Sequence, residues 1–354
     1  MSTPLAALKR IYVRLPNWVG DVVLATPFLA RLRQAAPEAE ITLHGRGVAL
    51  RLLEPEGLAD RVSAVKHRGG LRGPSREGRR LREELGGAPD LAFLLPNSIS
   101  SALTAKSLGA ERIVGYRNGR GVLVPEGPYA RKEGLFRELA MVDYYLGLLE
   151  ACGVDCSDVP KRPVLSAPPA AQDWVEEFLT RQRINAPGLR LWAINLGGSW
   201  ETKRWIPEHA GRLVKLLRQR GITPILLRGP DEQDLADQTC AAAGETVPGA
   251  QEVVGLNELC ALLRRCEVLI TTDSGPRHFG ISAGIPVLVL IGSTHPGYTA
   301  VDYPAMDLAC EEVACWPCHF KVCPLEFRCM RALTPERVAR EAGQLLERVR
   351  VGAP

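Results

Sequence analysis

The feature that most limits the folds open to this chain is an alternation. Short apolar runs separated by helix-length segments occur twice, on either side of Asp158-Val-Pro-Lys-Arg-Pro-Val-Leu-Ser-Ala-Pro-Pro169. Four prolines in twelve residues can neither continue a helix nor sit in a central strand, so this stretch reads as a domain linker. Ahead of it, strands are expected at 11–15, 41–43, 62–65, 91–95 and 113–114, and helices at 22–34, 101–108 and 135–151. Beyond it a helix is expected at 172–182, then strands at 191–196, 224–227, 268–271 and 287–291, alternating with helices at 207–220, 232–243, 256–265 and 276–283. Thr334-Pro335-Glu336 supplies a cap residue and a first-turn proline, opening a last helix to about residue 349. The pattern predicts an α/β protein with two doubly wound parallel sheets. Its predicted domains are 1–165 and 170–333, followed by a C-terminal helix, 334–354, crossing back to the first domain. A ligand is expected between the two domains, at the carboxyl ends of the strands.

Composition narrows the function classes. Hydrophobic residues make up 46% and charged residues 24%, which disfavours disorder, collagen-like sequence and a coiled coil. Lys+Arg 44 less Asp+Glu 40 leaves +4, too small a surplus for wholesale nucleic-acid or membrane binding unless the basic residues cluster. They do cluster once: residues 61–82 carry Arg61, Lys66, Arg68, Arg72, Arg76, Arg79, Arg80 and Arg82 against the single acid Glu77. That density fits either a solvated loop, an anionic acceptor or an anionic membrane surface. The first nine residues lack the apolar core of a signal peptide, and no run approaches the ~18 apolar residues of a membrane span, so a cytoplasmic protein is expected.

Three strand-end segments carry candidate chemistry. In Leu15-Pro-Asn-Trp-Val-Gly-Asp21 a turn leads into a helix with a carboxylate at its start, and Asp21 is either a helix cap or a group facing the ligand. In Asn195-Leu-Gly-Gly-Ser-Trp-Glu-Thr-Lys-Arg-Trp-Ile-Pro207, two glycines allow close backbone approach, Ser199 and Thr202 offer hydroxyls, and Lys203 and Arg204 bring positive charge; this suits a phosphate. In Thr271-Thr-Asp-Ser-Gly-Pro-Arg-His278, Ser274 and Gly275 stand where a helix begins, which favours an anion, and His278 lies one turn in. Asp273 would repel a phosphate and suits a ribose hydroxyl or a structural hydrogen bond. No G-x-G-x-x-G fingerprint and no Walker A sequence occurs.

Of ten cysteines, Cys310, Cys315, Cys318, Cys323 and Cys329 crowd into one segment, while Cys152, Cys156, Cys240, Cys260 and Cys266 are scattered. The cluster has ligand-like spacing but only one C-x-x-C, and metal binding, disulfides and free thiols all remain open. Taken with the basic segment it admits a zinc-dependent nucleic-acid-binding protein, a reading that leaves Asp21 and the phosphate-like loops without a role.

Leu15-Pro-Asn-Trp-Val-Gly-Asp21 with Ala25-Thr-Pro27, Leu94-Leu-Pro-Asn-Ser98, Lys203-Arg-Trp-Ile-Pro207, Asp273-Ser-Gly-Pro-Arg-His278 and Gly292-Ser-Thr-His-Pro296 together resemble the ADP-heptose:lipopolysaccharide heptosyltransferases of glycosyltransferase family 9, the heptosyltransferase II type above all. The resemblance implies a GT-B fold and inverting, metal-independent transfer of heptose from ADP-heptose to the lipopolysaccharide core on lipid A. No cofactor and no nucleic acid are implied, and a peripheral contact with the cytoplasmic face of the inner membrane is left open. By the same resemblance Asp21 is the general base. Ser199, Lys203, Asp231, Leu256, Asp273, Ser274, Gly275 and His278 bind the donor, with Lys203 also catalytic. Asn17, Arg68, Arg72, Asn97 and Ser98 are the expected acceptor contacts. A GT-B transferase or epimerase using another nucleotide sugar is the rival reading.

Overall fold

The structure, a computed structural model, describes residues 3–66, 72–130, 132–133, 136–137 and 139–352. It divides into two compact units, one of Met1–Pro163 with Gly297–Val301, the other of Val164–Pro296 with Asp302–Pro354. The boundary falls within the proline-rich stretch.

In the first unit the chain runs β1 (Arg10–Arg14), α1 (Val19–Leu24), α2 (Thr26–Ala35), β2 (Glu40–Gly45), α3 (Gly47–Leu53), β3 (Arg61–Ala64), α4 (Gly73–Glu84), β4 (Leu91–Leu94), α5 (Ile99–Leu108) and β5 (Arg112–Gly115). The short pair β6 (Lys132–Glu133) and β7 (Phe136–Arg137) and helix α6 (Met141–Glu150) follow. All five main strands are parallel, in the order β3-β2-β1-β4-β5. Ile11, Tyr12 and Val13 of the central strand are all buried, so residues on both faces of the sheet are covered, as a parallel sheet requires. Chain order reverses between β1 and β4, so the ligand crevice of this sheet is expected outside the carboxyl ends of those two strands.

The second unit repeats the scheme with α7 (Pro169–Arg181), β8 (Arg190–Asn195), α8 (Pro207–Gln219), β9 (Ile222–Leu227), α9 (Gln233–Ala243), α10 (Leu256–Leu263), β10 (Val268–Thr272), α11 (Gly275–Ala283), β11 (Val287–Ile291), β12 (Met306–Cys310), α12 (Arg328–Ala332) and α13 (Pro335–Gly352). Its parallel sheet has the order β12-β11-β10-β8-β9, with the reversal between β8 and β10.

Several elements depart from the sequence reading. The single helix expected at 22–34 is two, α1 and α2, meeting at Ala25 where Pro27 fits the first turn of the second. Part of the basic stretch is helix α4, and the helix expected from 135 begins at Met141; positions 135 and 138 lie outside the described residues. The last helix was expected to cross back to the first domain. Instead Val338, Ala339, Ala342, Leu345 and Leu346 of α13 join the second unit's own core with Trp192, Trp205 and Leu213, and α13 packs along α8. Val338, Leu345 and Leu346 each contribute roughly 1.5–3 kcal/mol on full burial, which fixes the helix there. Among the described residues no helix is long and apolar enough to cross a membrane.

Candidate active site

The two strands flanking the reversal in the second unit each end in one of the phosphate-like segments. Asn195, the buried last residue of β8, joins them by donating its side-chain amide to Thr271 Oγ1 at 3.1 Å and to Ser274 Oγ at 3.0 Å. Ser274 is the N-cap of α11 but makes no side-chain cap bond, and Gly275 follows. A β-carbon built on Gly275 would meet nothing within 4 Å, so there is space beside the first turn of this helix, whose unpaired N–H and positive dipole end suit an anion.

Asp273, the residue that follows β10, is a buried hub. One carboxylate oxygen accepts from Arg277 Nη1 at 3.0 Å; the other accepts from Thr294 Oγ1 at 2.8 Å and from Lys203 Nζ at 3.2 Å. Lys203 Nζ also donates to the Asp273 carbonyl at 3.1 Å. Through this network Asp273 holds the Lys203 ammonium at the start of α11. His278 is 4% exposed, and its Nδ1 has no hydrogen-bond partner among the described residues. Burial and the neighbouring Arg277 push its pKa well below the usual histidine range, so it is neutral at physiological pH and can offer a hydrogen bond rather than a charge.

Other residues of these loops have different work from that expected. Ser199 is exposed, as a ligand contact would be. Thr202 is buried and its hydroxyl donates to the Phe320 carbonyl, while Arg204 Nε donates to the Gly198 carbonyl at 3.0 Å; both are spent within the protein. Asp231 is exposed, and the carboxylate that bridges the β8 and β9 loops belongs to Glu232, which accepts from Gly198 N at 2.9 Å and Gly229 N at 2.7 Å. Gly197 is required for that bridge, because a β-carbon there would lie 2.1 Å from the Glu232 carboxylate. Glu232 escaped the sequence reading, its one signal being its place just past the Arg228-Gly-Pro turn after a strand. It edges a small recess with Leu196, Leu227, Arg228 and Leu235. Leu256, half-buried, is the first residue of α10.

In the first unit, the segments bearing Asn17, Asp21, Asn97 and Ser98 follow the adjacent strands β1 and β4. The N-cap of α1 is Trp18, without a side-chain cap bond, and Asp21 stands half-buried in the first turn, so Asp21 is not the helix cap. Arg14, buried, braces the loop, bonding the Leu15 carbonyl, His44 O at 3.3 Å and Asn17 Oδ1 at 2.8 Å. Ser98 is committed to the helix: it is the N-cap of α5, its hydroxyl accepting from Ser101 N at 3.2 Å. Asn97 is exposed. Arg120, 5% exposed and unannounced by any motif, donates to Ser98 O at 2.9 Å, Ser101 Oγ at 3.0 Å and Tyr116 O at 2.9 Å. Its burial pushes the guanidinium pKa down to about 10.

Arg68 lies outside the described residues, which omit 67–71. Arg72, Arg76 and Arg79 are exposed at spacings of four and three, one side of a helix. The lone acid of this stretch, Glu77, is buried, accepting from Arg80 at 2.6 Å and lying 3.2 Å from His44 Nε2, which leaves those three arginines unneutralised by it. All ten cysteines are free thiols, and among the described residues no three metal-ligating side chains gather in a metal-holding arrangement.

Comparison with known proteins bears on this geometry. The family model for glycosyltransferase family 9 (heptosyltransferase) matches residues 78–327. The chain belongs to that family. Lipooligosaccharide heptosyltransferase 2 of Campylobacter jejuni is 24% identical over 352 residues, covering 96% of this chain and 98% of the relative. Among solved structures, a family 9 glycosyltransferase from Veillonella parvula superposes with a TM-score of 0.80 at 22% identity, over 98% of this chain and 99% of that one. The E. coli ADP-heptose heptosyltransferase II structure gives 0.76 at 21% identity, over 96% and 99%. The family 9 chain thus has the GT-B fold and is a glycosyltransferase. The family match takes in the Lys203 and Asp273–His278 segments and begins after Asp21.

Proposed function

We propose that this family 9 glycosyltransferase moves heptose from ADP-heptose onto the lipopolysaccharide inner core, in the manner of the heptosyltransferase II type, inverting the anomeric centre by direct displacement. The observation that carries the reading is the Lys203 ammonium fixed by Asp273 at the start of α11, beside the open space at Gly275. As the bond to the anomeric carbon breaks, negative charge grows on the leaving diphosphate. Lys203, the Gly275 N–H, the exposed Ser199 hydroxyl and a hydrogen bond from neutral His278 meet that charge, a role filled elsewhere by a metal ion. Asp231, exposed beside the Glu232 bridge, contacts the nucleoside, and Leu256 at the start of α10 contacts the adenine.

The acceptor belongs to the first unit. A sugar hydroxyl is a poor nucleophile, and a carboxylate that removes its proton in the transition state contributes roughly 10²–10⁴ in rate. Asp21 is that base. Asn17 and Asn97, on the segments that follow β1 and β4, contact the acceptor, Ser98 acts by shaping the loop, and Arg72, Arg76 and Arg79 meet the phosphates and acidic sugars of a lipid-linked acceptor at the cytoplasmic face of the inner membrane. The test is transfer from ADP-heptose, UDP-sugars and GDP-sugars to Kdo-linked lipid A and to a singly heptosylated core. Transfer from ADP-heptose to the heptosylated core is the expected result; turnover with a UDP- or GDP-sugar alone would overturn the donor assignment.

A further inference from the structure

The cysteine-rich segment is bound to the donor loops, and the way it is bound places a second lysine there. The Thr202 hydroxyl donates to the Phe320 carbonyl, Ser293 Oγ donates to Thr202 Oγ1 at 2.8 Å, and His319 N donates to Ser293 O at 2.9 Å. Trp316 stacks on His295 of the same loop as Ser293, with ring centroids 5.8 Å apart. Thr202 and Phe320 are each followed by a lysine. Lys203 Nζ lies 5.4 Å and Lys321 Nζ 5.7 Å from the centre of one ring, that of Trp200. Among the described residues no carboxylate pairs with Lys321, which is exposed, whereas Lys203 is tied to Asp273.

We infer that Lys321 is a further donor-binding residue, a second cation for the diphosphate carried to the site by the cysteine-rich segment. An anion at the start of α11 therefore has two ammonium groups gathered at one indole ring, which attracts each of them. A diphosphate carries the charge to engage both. The division of labour follows from their partners: Lys203, held by Asp273, is fixed in place, and Lys321, held only through its backbone neighbours and Trp200, can adjust to the terminal phosphate. Thr202 and Ser293 are the positioning residues that hold this second cation in reach.

The inference rests on the donor reading above, and the experiment separates the two. ADP and AMP are titrated calorimetrically into the full-length chain and into Lys321→Met, Lys321→Arg and Thr202→Val. Lys321→Met should weaken ADP binding about tenfold, the order of one charge-assisted hydrogen bond, and shrink the preference for ADP over AMP. Lys321→Arg should restore most of both, and Thr202→Val should reproduce part of the loss. Unchanged ADP binding by Lys321→Met, with the wild type binding ADP normally, overturns the inference and leaves the donor reading standing. Loss in Thr202→Val without loss in Lys321→Met makes the segment a strut only and also overturns it. Failure of the wild type to bind ADP removes the donor reading and the inference with it.

Discussion

Gly275 matters for what it leaves empty. Its backbone is not in the left-handed region and a β-carbon would touch nothing within 4 Å, so Gly275→Ala should fold and melt as the wild type does. If the diphosphate lies against the first turn of α11, the new methyl group enters its space, and ADP affinity should fall about tenfold or more while thermal stability is unchanged. Equal ADP affinity in the two proteins would move the diphosphate elsewhere. At this scale the sequence is a good guide to which residues gather and a poor one to what each does. Asp273, Lys203 and His278 stand in recognisable strings, but that Thr202 spends its hydroxyl on Phe320, 118 residues away, depends on tertiary neighbours no local spacing encodes. Ser98 could be a ligand contact or a cap, and only the position of the Ser101 N–H decides. Asp231 and Glu232 are adjacent acids after one strand, and the turn, not the composition, chose which faces the glycines of the β8 loop.

Helix α4 and its neighbours in the first unit are organised around one buried acid. Tyr12 Oη lies 2.6 Å from His44 Nδ1, and His44 Nε2 lies 3.2 Å from Glu77, which also pairs with Arg80. Hydrogen bonds from His44, Arg80 and the Lys66 N–H outweigh burial, which acts the other way, and hold the Glu77 carboxyl well below its ordinary range. A carboxyl depressed in the folded state gives stability that is present above its ordinary pKa and lost as pH falls, because the unfolded chain takes up the proton first. Glu77→Gln should therefore cost about 1.5–3 kcal/mol at pH 7. That deficit should narrow as pH is lowered below about 4.5, measured by urea unfolding at each pH. A deficit independent of pH would mean that the charge is not what Glu77 contributes. The acid's burial was not readable beforehand: eight basic residues around one glutamate look like a solvated stretch until β2 supplies His44. The last helix makes the complementary point. Its start was legible in Thr334-Pro335-Glu336, its destination was not, since a cap and a first-turn proline open a helix without saying whose core it joins. Leu345→Ala, at a fully buried position in the second unit's core, should lower stability by about 2–5 kcal/mol. It should leave the first unit's unfolding unchanged if the two units melt separately.

For the whole molecule, the informative regularity is topological. Each unit has a five-stranded parallel sheet with one reversal of strand order, and in each the chemistry-bearing loops follow the two strands that flank it. The alternation of apolar runs was enough to foresee two such sheets; β12 was missed because only Ala309 of its five residues is buried and its sequence lacks a strong apolar run. We assign the donor to one unit and the acceptor to the other, so Asp21, on the acceptor side, should act on transfer and not on donor binding. Measuring heptosyl transfer from ADP-heptose and ADP binding side by side, in wild type and Asp21→Ala, tests it most directly. Asp21→Ala should lose roughly 10²–10⁴ in kcat with ADP affinity kept within about twofold. Turnover by Asp21→Ala close to the wild-type rate would contradict it.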